Sequence, residues 1–356
     1  MDNLESKVFR TIALAFLLVG GMVTLSVASS SRPHVEESKK DRVAILTTPD
    51  NGSETFLHIA EVGQPLPLPV ASFQHLPNAA IKGVVMQDGS VLVVADYKPG
   101  RSRAFGSALF RLTQGSTEAK LLCDQVDYAS KPLVTPTGRV FVSRGEPGPE
   151  LDGKVRVDSL SIAEINPQTG EIKTLRRSTG YINYLAGSFG SKIVVYEVKP
   201  GLARLLAIDI DMGAEIMLMS SMPGFARDFS VTGNGYLVFE NRDSERRDLW
   251  IAERINLVSG KVERIKEATS PLGPYGWSDG KITWSNLPEN TKSRLGTTPM
   301  KLVDIQAVSS DNETALAYIV QKSSDSYVAL VNSKGEELVA THLPPHTSFS
   351  VAGFMP

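Results

Sequence analysis

Six short segments of this 356-residue chain share one internal order, and that repetition restricts the fold more than any other feature. They are VVMQDGSVLVVAD from Val84, LVTPTGRVFVSRG from Leu133, LAGSFGSKIVVYE from Leu185, FSVTGNGYLVFEN from Phe229, YGWSDGKITWSNL from Tyr275 and QAVSSDNETALAY from Gln306. Each is an apolar, β-branched run, a tight turn and a second run. Beyond Arg42 no long stretch carries apolar residues at the helical period, so the chain reads as all-β. The turns hold Asp88-Gly89, Thr137-Gly138, Asn234-Gly235, Asp279-Gly280 and Asp311-Asn312. These residue types accept the positive φ angles of hairpin connections. A third strand with its own turn follows each pair, as in SIAEINPQTGEIKTL and IAERINLVSGKVERI, and the residues after that turn supply a short fourth strand.

Four antiparallel strands per unit, repeating at roughly 40 to 50 residues, form the pattern of a β-propeller blade. Second strands begin near Val43, Val91, Val140, Ile193, Tyr236, Ile282 and Thr314, so seven blades are expected. The sixth is thin, because only LPENTKSRLGTTPMKL separates the strand ending at Asn286 from the one near Val303. Six blades plus an irregular segment is the alternative, and a pair of β-sandwiches is a more distant one. At the N-terminal end RVAILTT, TFLHIAEV and PLPLPV read as second, third and fourth strands without a first. The C-terminal TSFSVAGF reads as that missing strand. Joining the two closes the ring and removes both unpaired backbone edges.

The order of first strand, Asp/Asn-Gly turn, second strand, loop, third strand with Asp or Asn, turn glycine and fourth strand resembles the propeller repeats of TolB and related WD-repeat-like proteins. The resemblance covers residues 42–356, with Trp277-Ser278-Asp279-Gly280 as one instance. It implies a propeller and leaves the function open, since propellers host binding proteins and many enzymes. TolB-like proteins also carry an α/β domain ahead of the propeller, and nothing in this sequence corresponds to it.

Composition narrows the classes of function. Lys and Arg number 37 against 39 Asp and Glu, and the pI is near 6.3. No general field therefore draws the chain to nucleic acid or an acidic membrane. Cys123 is the single cysteine, which excludes an intramolecular disulfide and a cysteine-based zinc site and suits a buried small hydrophobe. Lys7 and Arg10 precede an uncharged run from Thr11 to Ala28 that ends in Ser26-Val27-Ala28, the small-x-small form of a signal-peptidase site. Residues 1–28 are thus read as a signal peptide or retained membrane anchor, 29–41 as a polar linker, and 42–356 as the propeller. An exported protein of the cell envelope, or a secreted one, is expected.

Several apparent motifs fail. GPELDGK, from Gly148 to Lys154, has the spacing of a phosphate loop, but Val155 stands where Ser or Thr would ligate magnesium. His342 and His346 are four apart, which suits a metal only on a helix, and Pro344-Pro345 forbids that helix. No Gly-x-Ser-x-Gly elbow is present. No cofactor or metal is expected. Asp96, Glu146, Glu197 and Glu240, each near the end of a second strand, could converge at a channel mouth, as a propeller hydrolase or lyase would need.

The loops between second and third strands share one face and are rich in arginine. They hold Arg101, Arg103, Arg144, Arg156, Arg242, Arg246 and Arg247, candidates for binding carboxylates or phosphates, with acidic residues interspersed. The preferred reading is an exported, non-enzymatic scaffold binding a protein, peptide or polymer. The alternative is the carboxylate-channel enzyme.

Overall fold

The computed structural model describes residues 42–269 and 301–356 apart from short connecting segments, with backbone alone at 147–159 and in the strands of 301–343. The N-terminal targeting run, the linker and the Ile282 strand lie outside the described residues. The described residues form strands and turns. They are β1 (Arg42–Pro49), β2 (Glu54–Glu61), β3 (Ala71–Gln74), β4 (Lys82–Val85), β5 (Val91–Asp96), β6 (Ser107–Leu112), β7 (Lys120–Asp124), β8 (Leu133–Val134), β9 (Val140–Leu151), β10 (Lys154–Ile165), β11 (Ile172–Arg176) and β12 (Ile182–Phe189). The series continues with β13 (Lys192–Lys199), β14 (Leu202–Asp209), β15 (Glu215–Met219), β16 (Ala226–Val231), β17 (Tyr236–Arg242), β18 (Trp250–Asn256), β19 (Val262–Ala268), β20 (Lys301–Ser309), β21 (Thr314–Lys322), β22 (Asp325–Val331), β23 (Glu337–Leu343) and β24 (Thr347–Phe354).

The strands fall into four-stranded antiparallel units. The first has the order β24-β1-β2-β3; β4–β7, β8–β11, β12–β15, β16–β19 and β20–β23 follow. The units β8–β11 and β12–β15 share one sheet through a single parallel pair, Leu160 with Ile182. Leading strands of neighbouring units touch in series: β20 with β24, β24 with β4, β4 with β8, β8 with β12, and β12 with β16. The remaining step, from β16 to β20, passes through residues 270–300, outside the described residues. The C-terminal strand does pair with β1, from Val43 opposite Phe354 to Pro49 opposite Thr347.

Two sequence expectations are corrected. The fourth strand of the first unit is Ala71–Gln74 and not PLPLPV, because Pro65, Pro67 and Pro69 have no N–H to give a ladder. The segment expected as a variable loop after Val142 is paired backbone: β9 and β10 run 12 residues each and stay in register out to Leu151 opposite Lys154.

The core lies in the seams between units. Central strands send alternate residues to opposite seams, which is why they read as unbroken apolar runs. In β13, Val194 and Tyr196 pack with Leu237, Phe239 and Ile255 of the next unit. Ile193 and Val195 pack with Phe141 and Ile162 of the preceding one. Phe141 and Phe239 are fully buried, each contributing about 1.5–3 kcal/mol of transfer free energy. Cys123 lies buried in the seam between the second and third units, and burial pushes its thiol up to about 12.

The turn between third and fourth strands is built the same way three times. Asn166, Asp209 and Asn256 each accept two backbone N–H groups at Oδ1, from Gln168 and Thr169, from Asp211 and Met212, and from Val258 and Ser259. Each also accepts at its carbonyl from the glycine four residues on, Gly170, Gly213 or Gly260. Those glycines have φ of 81°, 68° and 70°, and at Gly170 a Cβ would stand 2.7 Å from the Leu122 carbonyl oxygen. Only glycine fits that turn without moving the neighbouring unit.

Candidate functional site

Of the seven candidate arginines, Arg144, Arg242 and Arg246 have described side chains. Arg144 donates to the Asp124 carbonyl at 3.1 Å and the Gln125 amide oxygen at 3.2 Å. Arg246 lies 3.7 Å from Asp243 and 3.6 Å from Glu267. Arg242 stacks 4.7 Å over the Trp250 ring and has no carboxylate partner among the described residues. Arg156 belongs to β10, where backbone alone is described, and Arg101, Arg103 and Arg247 lie outside the described residues.

The four candidate carboxylates are each engaged within the fold. Asp96 accepts from the Ser107 hydroxyl and Glu146 from that of Ser161. Glu197, 1% exposed, lies between Arg176 at 2.6 Å and Arg204 at 2.5 Å. Glu240, fully buried, accepts from Arg227 at 2.7 Å. Among the described residues no group of three or more His, Cys, Asp or Glu is arranged to hold a metal.

Sequence reasoning missed what other arginines do: they fasten one unit to the next. Arg111 of β6 holds Asp88 of its own unit at 2.5 Å and reaches the Pro167 carbonyl and Gln168 side chain of the third unit, at 3.1 and 2.6 Å. Arg139, just ahead of β9, grips Glu164 at 2.7 and 2.8 Å. Its Nη atoms also reach Asp211 and the Ile210 carbonyl of the fourth unit, at 2.7 and 3.1 Å. The guanidinium in turn holds the Glu164 carboxyl below its ordinary range, chiefly through the hydrogen bond, and the Glu164 bond raises Arg139. Arg176 of β11 crosses the same seam to Glu197 and Glu215.

A groove of about 590 Å³ opens beside the fourth unit. Register explains its floor. Ile182 stands opposite Val198, and Val198 opposite Ala203, so the three side chains share one face. Met222 completes the floor, drawn in by a bond from its N–H to the Ala203 carbonyl at 2.7 Å. The connector forming the far wall is pinned by the buried Tyr196. Its hydroxyl donates to the Pro223 carbonyl at 2.6 Å and accepts the Ala226 N–H at 3.2 Å. Burial pushes that phenol up to about 12, so it remains a donor at neutral pH. The near rim is the β13–β14 turn, Lys199, Pro200 and Gly201. Lys199 Nζ lies 4.6 Å over the Tyr181 ring, which Arg204 also covers at 4.5 Å. Lys199 has no carboxylate partner among the described residues. Ile182 at 38% and Phe225 at 51% remain exposed, the latter next to Gly224 of the groove wall.

No family model matches the sequence, and no curated protein matches it. Solved structures do resemble the chain. TolB from Acinetobacter baumannii is 12% identical with a TM-score of 0.49, over 88% of this chain and 67% of that one. A chain of the nidogen/laminin complex is 12% identical with a TM-score of 0.46, over 88% and 97%. Oligogalacturonate lyase from Vibrio parahaemolyticus is 12% identical with a TM-score of 0.39, over 86% and 75%.

Proposed function

We propose that this chain is an exported, seven-bladed β-propeller, closed by β24 against β1, that acts as a binding scaffold of the cell envelope for a protein or peptide. Export rests on the apolar run ending in Ser26-Val27-Ala28. Closure draws on the serial contacts of the leading strands, and the count of seven on the second strand that the sequence places near Ile282.

The observation that carries the binding role is the groove of the fourth unit: an apolar floor of Ile182, Val198, Ala203 and Met222 under a rim lysine with no acidic partner among the described residues. An apolar side chain fills such a floor, and a carboxylate beside it in the ligand meets Lys199. Pre-pinned walls lower the ordering cost of binding. The enzyme alternative needs carboxylates open to substrate. Glu197 and Glu240 are instead held by guanidinium groups, and Asp96 and Glu146 by serine hydroxyls.

Selection of random heptapeptides displayed on phage tests this reading. The expected consensus is an aliphatic residue next to Asp or Glu, with binding lost in Ile182→Asp and weakened in Lys199→Glu. Peptides that bind both variants as tightly as the parent would contradict it.

A further inference from the structure

The wall of the groove has a second side. A four-stranded meander returns the chain to the end from which it set out, and the leading strands of the fourth and fifth units, β12 and β16, touch. The β13–β14 turn, the connector after β15 and the β17–β18 end of the fifth unit therefore lie together at one end of adjacent units. Gly224 of the connector lines the groove. The next residue, Phe225, is 51% exposed and sets its ring 5.8 Å from that of Trp250, edge to face. Trp250 is where the fifth unit gathers its cations. Glu240 and Arg242 stand two apart on β17 and so share a face, Arg227 of β16 is opposite Glu240, and Trp250 of β18 is opposite Arg242. Both guanidinium groups lie over the indole, Arg227 at 4.4 Å and Arg242 at 4.7 Å. Their donors are used differently. Arg227 is committed to the buried Glu240 at 2.7 Å. Arg242 is exposed, and among the described residues no carboxylate takes its N–H groups.

We propose that Arg242 is a second carboxylate anchor for the ligand of the groove, an inference that rests on the groove reading above. The segment bound is then a peptide with an aliphatic residue between two acidic ones. One carboxylate meets Lys199 at the near rim, the aliphatic side chain fills the floor, and the chain passes over Phe225 to bring a second carboxylate to Arg242. Stacking on Trp250 uses the face of the guanidinium and leaves its N–H groups free in the plane, where they match the two oxygens of a carboxylate. A guanidinium already laid on an indole also loses less freedom when a ligand binds.

Fluorescence anisotropy of the full chain with a series of labelled peptides tests the second anchor. Each peptide carries Leu beside Asp for the groove, and a second Asp is walked along the chain away from the Leu, with Asn at the same place as its control. The expected result is a position at which the second Asp tightens binding about tenfold over Asn. That gain should vanish in Arg242→Met. The same variant should bind the singly acidic peptide as the parent does, which separates a direct contact from lost packing on Trp250. The inference is overturned, and the groove reading stands, if Ile182→Asp abolishes binding but no position of the second Asp tightens it. It is overturned equally if the gain survives Arg242→Met, or if that variant weakens singly and doubly acidic peptides alike. If no peptide binds, or if binding survives Ile182→Asp, both readings fall.

Discussion

The first and fourth units bury polar groups in opposite ways. Between β1 and β3 the buried groups are threonine hydroxyls and imidazoles that satisfy one another. Thr47 bonds His58 Nε2 at 2.9 Å, Thr48 bonds Thr55 at 2.6 Å, and Thr55 bonds His75 Nε2 at 2.8 Å. Each imidazole donates from Nδ1 to a carbonyl, Pro67 at 2.8 Å and Leu76 at 2.7 Å, and turns Nε2 to its threonine. The fourth unit instead buries a carboxylate, Glu197, between two guanidinium groups. The hydroxyl–imidazole chain joins strands within the unit that holds both ends of the described chain. The charged knot spans a seam, where Arg176 arrives from the preceding unit. Locking strands within a unit takes hydrogen bonds alone, whereas fastening one unit to the next uses long side chains that cross the gap.

That contrast can be broken at three points. The largest effect is expected from deleting residues 347–356, which removes β24 and exposes the edge of β1 that it covers. The product should lose its cooperative urea transition, and retention of a single sharp transition would show that the first unit does not need its leading strand. Next is Glu197→Ala, which leaves Arg176 and Arg204 without their shared acceptor and should cost about 3 kcal/mol in urea denaturation. The smallest effect concerns His58, whose pKa burial holds below 6.5. The unfolded chain takes up that proton first, so stability falls as pH drops below 6.5 and continues to fall to the folded pKa. Urea midpoints from pH 8 to 5 should decline less steeply in His58→Asn than in the parent, and equal slopes would assign the acid sensitivity elsewhere.

Much of the fold is legible in the sequence because its determinants are local. The Asn-to-Gly turns at 166–170 and 256–260 declare themselves through residues that bond their own backbone. The C-terminal strand declares itself by alternation and by the missing first strand. The site is less legible because its determinants are distant. Arg139 finds Asp211 across 72 positions and Arg111 finds Pro167 across 56, and nothing near either arginine marks it as a fastener. Ile182 and Val198 look like ordinary strand residues until register and connector set them along one groove, with the buried Ala203 and Met222 beneath. The first unit's fourth strand was missed for a different reason, as alternation in PLPLPV carries no weight where every second residue lacks an N–H.

The central claim is a division of labour, with seam arginines holding the structure and the groove of the fourth unit binding the ligand. It is tested most directly by measuring melting temperature and affinity for a selected peptide on the same preparations of Ile182→Asp and Arg139→Met. Ile182→Asp should melt within about 0.5 kcal/mol of the parent and lose the peptide, while Arg139→Met should melt several degrees lower and bind normally. An Arg139→Met protein of unchanged melting temperature that no longer binds, or an Ile182→Asp protein that binds as before, would contradict the account.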